Sequence, residues 1–240
     1  MNIINEMAEE NLNNLKNSDY PGRGIIAGIT PSGKELVQIY WTMGRSKNSK
    51  NRIMLSDGDN IKTIPYDRTL EVIHEDLIIY NVSAKVGNKH IVTNGKQTDT
   101  ISDYFTKNDT FEEALYQWEY ENDIPIYTSR ISCFAAVDGV NSYYAISIIK
   151  ALEQNPSLLT HQFFKYKPDM KGYGHCIHTY SLSQTCMPFS GEPYWIRIFN
   201  DINDNANYWN ILPKDKRVAL YVKHINISNG EVKDKICNIH

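Results

Sequence analysis

The sequence predicts an α+β fold built on mainly antiparallel sheets. Three hairpin signals lie between residues 24 and 149, and the helical patterns are gathered between them instead of alternating with single strands. No repeat, low-complexity tract or flexible linker divides the chain. Because 240 residues can bury one large core without disulfides or metals, we expect a single domain over residues 1–240.

The chain begins with a helical pattern and then turns to strands. Ile3, Met7, Leu12 and Leu15 recur at loosely helical intervals, so we expect an amphipathic helix over residues 3–16. The runs "GIIAGIT" and "ELVQIYWTM" are strand-like, and the Pro and Gly of "PSGK" between them mark a turn. These two runs predict the first hairpin.

Two tighter hairpins are expected further along. Gly87-Asn88 separates "DLIIYNVSAKV" from "KHIVTN", and Asp138-Gly139 separates "RISCFAAV" from "NSYYAISII". Such pairs between apolar runs suit two-residue primed turns, because they tolerate the positive φ angles that these turns require. We therefore place hairpin turns at both pairs.

Residues 100–120 carry helical spacing between the second and third hairpins. Ser102 and either Asp109 or Thr110 are suitable N-caps, so we expect two helices there. One helical face carries Phe111, Ala114, Leu115 and Trp118. In the remainder of the chain we expect strands near residues 161–167, 175–183, 194–200 and 217–225, with a short helix around residues 204–212.

Composition excludes several classes of protein. The 25 Lys and Arg against 28 Asp and Glu give a net charge of −3, which argues against a surface built to neutralise a nucleic acid. No window approaches the ~18 apolar residues of a membrane span, and no basic leader precedes an apolar stretch. We expect a cytoplasmic protein with reduced thiols, because its 4 cysteines lack paired spacing. The oligomeric state is open, a homo-oligomer included.

The segment "GHCIHTY" is the candidate for a metal site, and its spacing argues against one. His175 and Cys176 would point to opposite faces of a strand, and His178 lies an odd number of residues from His175. A zinc site needs ligands that converge, and this spacing matches no zinc pattern. We therefore expect neither a metal nor a cofactor.

Polar groups are placed at several expected strand ends, where a rigid sheet can present them. The loop "GRSKNSKNR" holds Arg45 and Arg52, "IYN" holds Tyr80, and "YEND" and "YTSR" hold Glu121 and Arg130. A loop arginine alone is usually solvated, and an Asn-Gly pair alone is usually a turn. The combination is what carries information.

Taken together, these blocks resemble a known family, the archaeal-type inosine monophosphate (IMP) cyclohydrolases and their bacterial relatives. The resemblance rests on Gly22-Arg23 before a strand, "GRSKNSKNR", "IYN", "TNGKQTDTI" and "YENDIPIYTSRI", in that order across about residues 20–140. Residues 150–240 resemble the bacterial branch. The family implies a four-layer α-β-β-α sandwich similar to N-terminal-nucleophile hydrolases, in which 5-formamidoimidazole-4-carboxamide ribotide closes to IMP with loss of water.

The resemblance also implies roles for individual residues. Arg52 would hold a developing oxyanion or the anionic end of the ligand, and Tyr80 would donate a hydrogen bond or proton to the departing oxygen. Glu121 would act as the base or as the anchor for the carboxamide N–H groups. The implied purine ribonucleotide-binding residues are Arg23, Arg45, Asn81, Asn94, Gly95, Thr98, Asp99 and Arg130.

Three other interpretations stay open from the sequence. A purine nucleotide-binding protein of the same fold without turnover would keep the same pocket. An amide hydrolase with an internal nucleophile would need Cys133 or Cys176. A β-rich interaction domain would have no affinity for nucleotides.

Overall fold

The computed structural model describes residues 3–71, 75–152, 155–183 and 186–240. Its strands are β1 (Gly24–Ile29), β2 (Glu35–Met43), β3 (Ile53–Asp57), β4 (Asn60–Ile64), β5 (Asn81–Val86), β6 (Lys89–Thr93), β7 (Arg130–Ala136), β8 (Tyr143–Leu152), β9 (Asn155–Tyr166), β10 (Tyr173–His178), β11 (Tyr194–Arg197), β12 (Arg217–Asn226) and β13 (Val232–Asn238). Its helices are α1 (Ile3–Asn17), α2 (Lys47–Lys50), α3 (Glu75–Ile78), α4 (Gln97–Thr106), α5 (Phe111–Tyr116), α6 (Ile202–Ala206) and α7 (Tyr208–Ile211).

The strands form two antiparallel sheets, which confirms the α+β prediction. A 6-stranded sheet has the order β11-β10-β1-β2-β12-β13, and a 7-stranded sheet has the order β3-β4-β5-β6-β7-β8-β9. Every strand pairing in the described part of the chain is antiparallel. Within those same residues, no helix is both long enough and apolar enough to cross a membrane.

Alternation along the strands divides the apolar side chains between three layers. Ile25, Tyr40, Ile131, Ile146 and Tyr221 belong to the core that both sheets share. On the other face of the 6-stranded sheet, Trp41 and Cys176 pack with Leu15 of α1 and Tyr208 of α7. On the other face of the 7-stranded sheet, Ile91 and Phe134 pack with Phe105 of α4 and Phe111 of α5.

The predicted hairpins are present, with one correction to a turn. β1 pairs with β2, and Val86 pairs with Lys89 around the two-residue turn at Gly87-Asn88, as expected. The prediction of a two-residue turn at Asp138-Gly139 is wrong. Ala136 pairs with Tyr143 around a longer loop, which contains a 3₁₀ turn at Gly139–Asn141. Ser142 closes this loop: its hydroxyl accepts from the Asp138 amide at 2.9 Å and donates to the Gly139 carbonyl at 2.7 Å.

The predicted helices are present, with one N-cap corrected and with one additional helix where a strand was expected. Thr110 caps α5 in a reciprocal box with Glu113. Ser102 is not an N-cap, because α4 already begins at Gln97 and the Ser102 hydroxyl donates to the Thr98 carbonyl inside the helix. Residues 76–78, expected to be part of a strand, belong to α3 instead. The β3–β4 hairpin and β13 were not predicted from the sequence.

Candidate active site

A cleft lies at one end of the sheets, where β1 begins and β2 ends. Its volume is about 160 Å³. The lining residues are Tyr20, Gly22, Arg23, Met43, Asn48, Ser49, Arg52, Leu77, Ile78, Glu121, Asp123 and Tyr180. The predicted residues Arg23, Arg52 and Glu121 therefore meet in one cleft, although they come from distant segments.

Two glycines and a tryptophan position the turn that presents Arg23. Gly22 has φ of +75°, and a Cβ there would lie 2.2 Å from the Thr179 hydroxyl. A Cβ on Gly24 would lie 2.0 Å from the ring of Trp41, so that ring can cover the strand only where the side chain is absent. The Trp41 indole N–H donates to the Gly22 carbonyl at 2.9 Å. The turn is thereby held against β2 with Arg23 at its centre.

Arg23 and Glu121 form a buried pair that uses both carboxylate oxygens. Arg23 Nη1 lies 2.7 Å from Glu121 Oε1, and Arg23 Nη2 donates to Oε2. Glu121 is only 1% exposed. Burial alone would lower the pKa of Arg23, but Glu121, followed by the hydroxyls of Tyr80 and Tyr40, raises that pKa well above its usual value. Arg23 is therefore charged, and its two contacts with the carboxylate fix the direction of both side chains.

Arg130 approaches the same carboxylate from the other side. Its Nη1 lies 3.7 Å from Glu121 Oε1, its Nε donates to the Glu119 carbonyl at 2.9 Å, and its guanidinium lies 4.7 Å above the Trp118 ring. Burial lowers the pKa of Arg130, against the opposing effect of Glu121. Gly95 lies next to this guanidinium, because a Cβ on Gly95 would meet Arg130 Nη1 at 2.7 Å.

Arg52 is buried in the cleft wall and contacts main-chain carbonyls. It is 4% exposed, and its donors reach the carbonyls of Ser49 at 2.9 Å, Leu77 at 3.4 Å and Met43 at 3.5 Å. The described residues give Arg52 no ion pair. Within the described part of the chain, the hydrogen-bond acceptors of Arg52 are carbonyl oxygens.

Tyr20 and Tyr180 also line the cleft, while the predicted binding residue Arg45 is exposed beside Tyr20 and does not line it. The Arg45 guanidinium lies 4.8 Å above the ring of Tyr20, which stacks on Tyr180 at 5.7 Å, and Arg45 Nη1 lies 2.8 Å from Cys186 Sγ. Burial raises the pKa of Tyr20, while Arg23, Arg45 and Arg52 act to lower it. All three guanidiniums therefore lie near one ring.

A hydrogen-bond chain connects the tyrosine wall to a second carboxylate. The Thr128 hydroxyl lies 2.5 Å from Asp123 Oδ2 and 2.5 Å from the Tyr180 hydroxyl. Since the carboxylate can only accept, Thr128 donates to Asp123 and Tyr180 donates to Thr128. The chain holds the Tyr180 ring at the cleft.

Tyr80 lies behind the cleft lining, in contact with Tyr40. Their hydroxyls are 2.8 Å apart, and both side chains are buried. Burial raises the pKa of Tyr40 well above its usual value, and Tyr80 adds to the effect while Arg23 and Arg52 oppose it. The Tyr40 hydroxyl is therefore a neutral partner for Tyr80 at physiological pH, within the field of two guanidiniums.

The remaining predicted binding residues lie around this centre but do not line the cleft. The Asn94 carbonyl accepts from Arg23 Nη1 at 3.1 Å, while its side chain donates to the Ser129 carbonyl at 3.0 Å. Thr98 is fully buried, with its hydroxyl 2.7 Å from that of Thr93. Asn81 donates to Asp99 at 2.7 Å in an exposed pair. Direct contact of these side chains with a ligand stays a prediction.

Four residues of the site were not predicted from the sequence: Tyr20, Asp123, Thr128 and Tyr180. Asp123 and Thr128 fall inside the block "YENDIPIYTSRI", and Tyr20 precedes the Gly22-Arg23 turn, so local signals were available. No local signal marks Tyr180. It reaches the cleft because β10 pairs with β1, which sets His178 opposite Gly24.

The cysteines proposed as internal nucleophiles are buried in apolar layers. Cys133 and Cys176 are both 0% exposed. Burial raises the pKa of each thiol to about 12, so neither is a thiolate near neutral pH. The thiolate is the reactive form, which counts against the amide hydrolase interpretation.

Comparison with known proteins identifies the family of the chain. The family model described as IMP cyclohydrolase-like protein matches residues 20–231, a range that contains the whole cleft. The chain belongs to the IMP cyclohydrolase-like family. A curated relative, the IMP cyclohydrolase of Methanococcus aeolicus, is 31% identical over 108 residues. That match covers 43% of this chain and 52% of the relative, so the chain spans about half the length of the curated relative.

Proposed function

We propose that the protein is an IMP cyclohydrolase, which binds a small purine ribonucleotide in the Arg23–Arg52–Glu121 cleft. The reaction is the dehydrative closure of 5-formamidoimidazole-4-carboxamide ribotide to IMP in purine biosynthesis. Membership of the IMP cyclohydrolase-like family supports this activity, as does the name of the curated relative. The observation that carries the proposal for this chain is the environment of Arg52.

The buried guanidinium of Arg52 favours the binding of an anion in the cleft. Removing a guanidinium from water costs several kcal/mol unless an opposite charge or strong hydrogen bonds replace the water. Arg52 is 4% exposed, and its described acceptors are carbonyl oxygens, two of them at 3.4 and 3.5 Å. Since Arg23 is already neutralised by Glu121, Arg52 would supply the positive charge for a phosphate or a developing oxyanion, and the exposed Arg45 beside Tyr20 would add to it at the mouth of the cleft.

The size of the cleft limits how a nucleotide sits in it. A volume of about 160 Å³ is below the ~300–1,000 Å³ of most small-molecule pockets. One end of the ligand would be enclosed between Arg52 and Tyr20, and the remainder would lie across the mouth. The stacked pair Tyr20–Tyr180 offers a flat surface for a planar ring beside the guanidiniums.

Ring closure asks for positioning and proton transfer, and both are available from these residues. The carboxamide nitrogen attacks the formyl carbon of the same molecule, so correct orientation lowers much of the barrier. Arg52 would stabilise the charge that develops on the formyl oxygen. Closure removes one proton from the carboxamide nitrogen and one from the formamide nitrogen, and the oxygen takes up two protons as it leaves as water. Tyr80, supported by Tyr40, would donate one proton to this oxygen and be reprotonated by one that a nitrogen releases. Glu121 would anchor Arg23 first and the carboxamide second, because Arg23 engages both of its oxygens.

We extend the proposal to the architecture. Residues 1–240 would form one domain, with α1, α6 and α7 on one side of the sheets and α4 and α5 on the other. This is the four-layer α-β-β-α arrangement of N-terminal-nucleophile hydrolases, and the three apolar layers of the fold support it.

A purine nucleotide-binding protein without turnover is the second candidate, and the state of Glu121 favours it. A general base needs a lone pair directed at the proton that it removes. Here Arg23 donates to both carboxylate oxygens of Glu121. A second guanidinium, that of Arg130, lies 3.7 Å from one of those oxygens. Turnover would then have to proceed without Glu121 as the base.

One experiment separates these functions. Cyclisation of the uncyclised ribotide is followed by absorbance, and IMP binding is followed by calorimetry, on the wild type, Arg52→Ala and the exposed control Arg68→Ala. The wild type should cyclise the ribotide, Arg52→Ala should lower kcat/KM by ~100-fold or more, and Arg68→Ala should behave as the wild type.

If the wild type binds IMP but does not cyclise the ribotide, the protein is the nucleotide-binding protein without turnover and the enzyme proposal is wrong. A fully active Arg52→Ala variant would remove the anion site from the mechanism.

A further inference from the structure

A second and larger cavity lies at the opposite end of the sheets. The groove has a volume of about 1130 Å³. β1 connects the two sites, because Arg23 of the cleft precedes its first residue and Ile29, its last residue, lines the groove. Six strand residues at about 3.3 Å each separate the sites by about 20 Å. The groove therefore takes no part in the chemistry proposed for the cleft.

The rim of the groove is positively charged in a protein that is negative overall. Lys34, Lys165 and Lys167 line it and are exposed, while Asp169 is the lining carboxylate. The net charge of the whole chain is −3, so the lining of the groove has the opposite sign of charge to the chain as a whole. Lysines arranged around one concave surface attract anions over several ångströms.

The walls of the groove are aromatic and apolar. Tyr143 and Tyr166 line it with Ile29 and Ile227, and the Lys165 ammonium lies 4.2 Å above the Tyr143 ring. The Tyr166 ring is held in place by stacking on His175 with centroids 3.7 Å apart. Burial raises the pKa of Tyr166 to about 12, which keeps its hydroxyl a neutral donor at physiological pH. The rings are thus ordered before any ligand arrives.

We propose that this groove binds a small organic anion with a planar ring system, the chemical class to which nucleotides belong. Its volume of about 1130 Å³ slightly exceeds the ~300–1,000 Å³ found for most small-molecule sites, so such a ligand would fit without filling the groove. The lysines match the anionic part of such a ligand, and Tyr143 and Tyr166 match its flat body. The site is distinct from the cleft and does not depend on cyclohydrolase activity.

The test uses 8-anilinonaphthalene-1-sulfonate, a fluorescent aromatic anion, together with its uncharged analogue N-phenyl-1-naphthylamine. Titrations are run on the Arg52→Ala protein, so that the cleft contributes as little as possible. We expect saturable binding of the sulfonate, and Lys165→Glu/Lys167→Glu should weaken it at least tenfold. The control Lys16→Glu/Lys107→Glu makes the same charge change at exposed sites outside the groove lining and should leave the Kd within about twofold.

A variant that leaves the lysines unchanged tests the groove independently. Val140 is fully exposed on the rim, and Val140→Glu should also weaken sulfonate binding. Melting temperatures check that each variant is folded. Equal affinity for the uncharged analogue, or equal weakening in the control variant, would overturn the proposal. So would sedimentation showing that the wild type self-associates through this face and Lys165→Glu/Lys167→Glu does not, since the occupant would then be a second copy.

Discussion

At the scale of single residues, Glu121 has a different environment from the one that its sequence context suggests. A glutamate in "YEND" before a strand could be an exposed carboxylate ready to accept a proton. In the structure it is 1% exposed and contacts two guanidiniums, those of Arg23 and Arg130. Its first physical role is to neutralise them, because an unpaired buried guanidinium is costly.

This role predicts that Glu121→Gln destabilises the protein. The amide has nearly the same shape but no charge, so Arg23 and Arg130 would be left without their carboxylate. Removing one partner of a buried ion pair typically costs ~3–5 kcal/mol in the free energy of unfolding, and urea unfolding measures that loss. We also expect turnover to fall by ~10²-fold, with a smaller change in IMP affinity, because Arg23 loses the carboxylate that holds it in position.

The double variant Arg23→Met/Glu121→Met is the matched control for stability. Replacing both members of a buried pair by apolar side chains is often close to neutral, so it should recover the part of the loss that comes from Arg23, while Arg130 still lacks its carboxylate. If the free energy of unfolding of Glu121→Gln lies within about 1 kcal/mol of the wild-type value, the carboxylate does not neutralise the two guanidiniums as its contacts indicate.

Tyr40 is a positioning residue for Tyr80, and this can be tested by a mutant cycle. The 2.8 Å contact between their hydroxyls orients the Tyr80 proton. Tyr40→Phe should therefore lower kcat with little change in KM, Tyr80→Phe should lower it further, and the double variant should be no worse than Tyr80→Phe alone. Strictly additive losses would mean that the two hydroxyls act independently.

At the scale of elements, the pairing of β1 with β2 determines where Arg23 points. Gly24 lies opposite Trp41 in this register, and the absence of a side chain lets the indole cover the strand. A methyl group there would fall 2.0–2.4 Å from three atoms of the Trp41 ring, so the ring or the strand must move. The Trp41 hydrogen bond to the Gly22 carbonyl would be disturbed at the same time.

Gly24→Ala should therefore reduce both stability and function. Overpacking of a closely packed core typically costs ~1–3 kcal/mol in the free energy of unfolding, and IMP affinity should fall because the turn that carries Arg23 shifts. The control is Ile26→Val, which creates a small cavity in the same strand. It should lower the free energy of unfolding by ~0.5–1.5 kcal/mol and leave IMP affinity unchanged. Normal IMP binding by Gly24→Ala would show that the position of the turn at Gly22–Gly24 does not affect the site.

At the scale of the whole molecule, local signals predicted more than long-range ones did. The turn at Gly87-Asn88 and the cap at Thr110 were found because a few neighbouring residues determine them. The ion pair between Arg23 and Glu121 joins residues 98 positions apart, and no local pattern specifies such a contact. The resemblance to a family brought these residues together in advance, whereas Tyr180, which lies outside the motifs of that resemblance, was missed.

Three buried histidines give the molecule a common response to acid. His90 faces the core between the sheets, and neither of its ring nitrogens has a hydrogen-bond partner in the described part of the chain. His175 Nδ1 lies 2.6 Å from the Tyr144 hydroxyl, and His178 Nδ1 contacts the Tyr180 carbonyl. Burial lowers the pKa of His90 to about 3, with Lys223 adding to the effect. Burial also lowers the pKa values of His175 and His178 to about 4 each.

These shifts determine how stability should depend on pH. Between about pH 4 and 6.5 the unfolded chain binds protons at these histidines while the folded protein does not, so acid favours unfolding. Their contribution is fully present above pH 6.5 and is lost as the pH falls through that window. Each histidine adds up to ~1.4 kcal/mol per pH unit to the slope. We expect the free energy of unfolding, measured with urea, to be flat near pH 7–8 and to fall steeply below pH 6.

His90→Leu tests the assignment, because an apolar side chain replaces a ring whose nitrogens have no described partners. The variant should lose about one third of the acid slope while it keeps the urea m-value of the wild type. Ile91→Val is the control in the same strand: it removes one methylene from a fully buried side chain and should lower stability by a similar amount at every pH. If His90→Leu and Ile91→Val give parallel curves of unfolding free energy against pH, His90 is protonated equally in the folded and unfolded chains. The loss of stability in acid would then have to come from His175, His178 or the carboxylates.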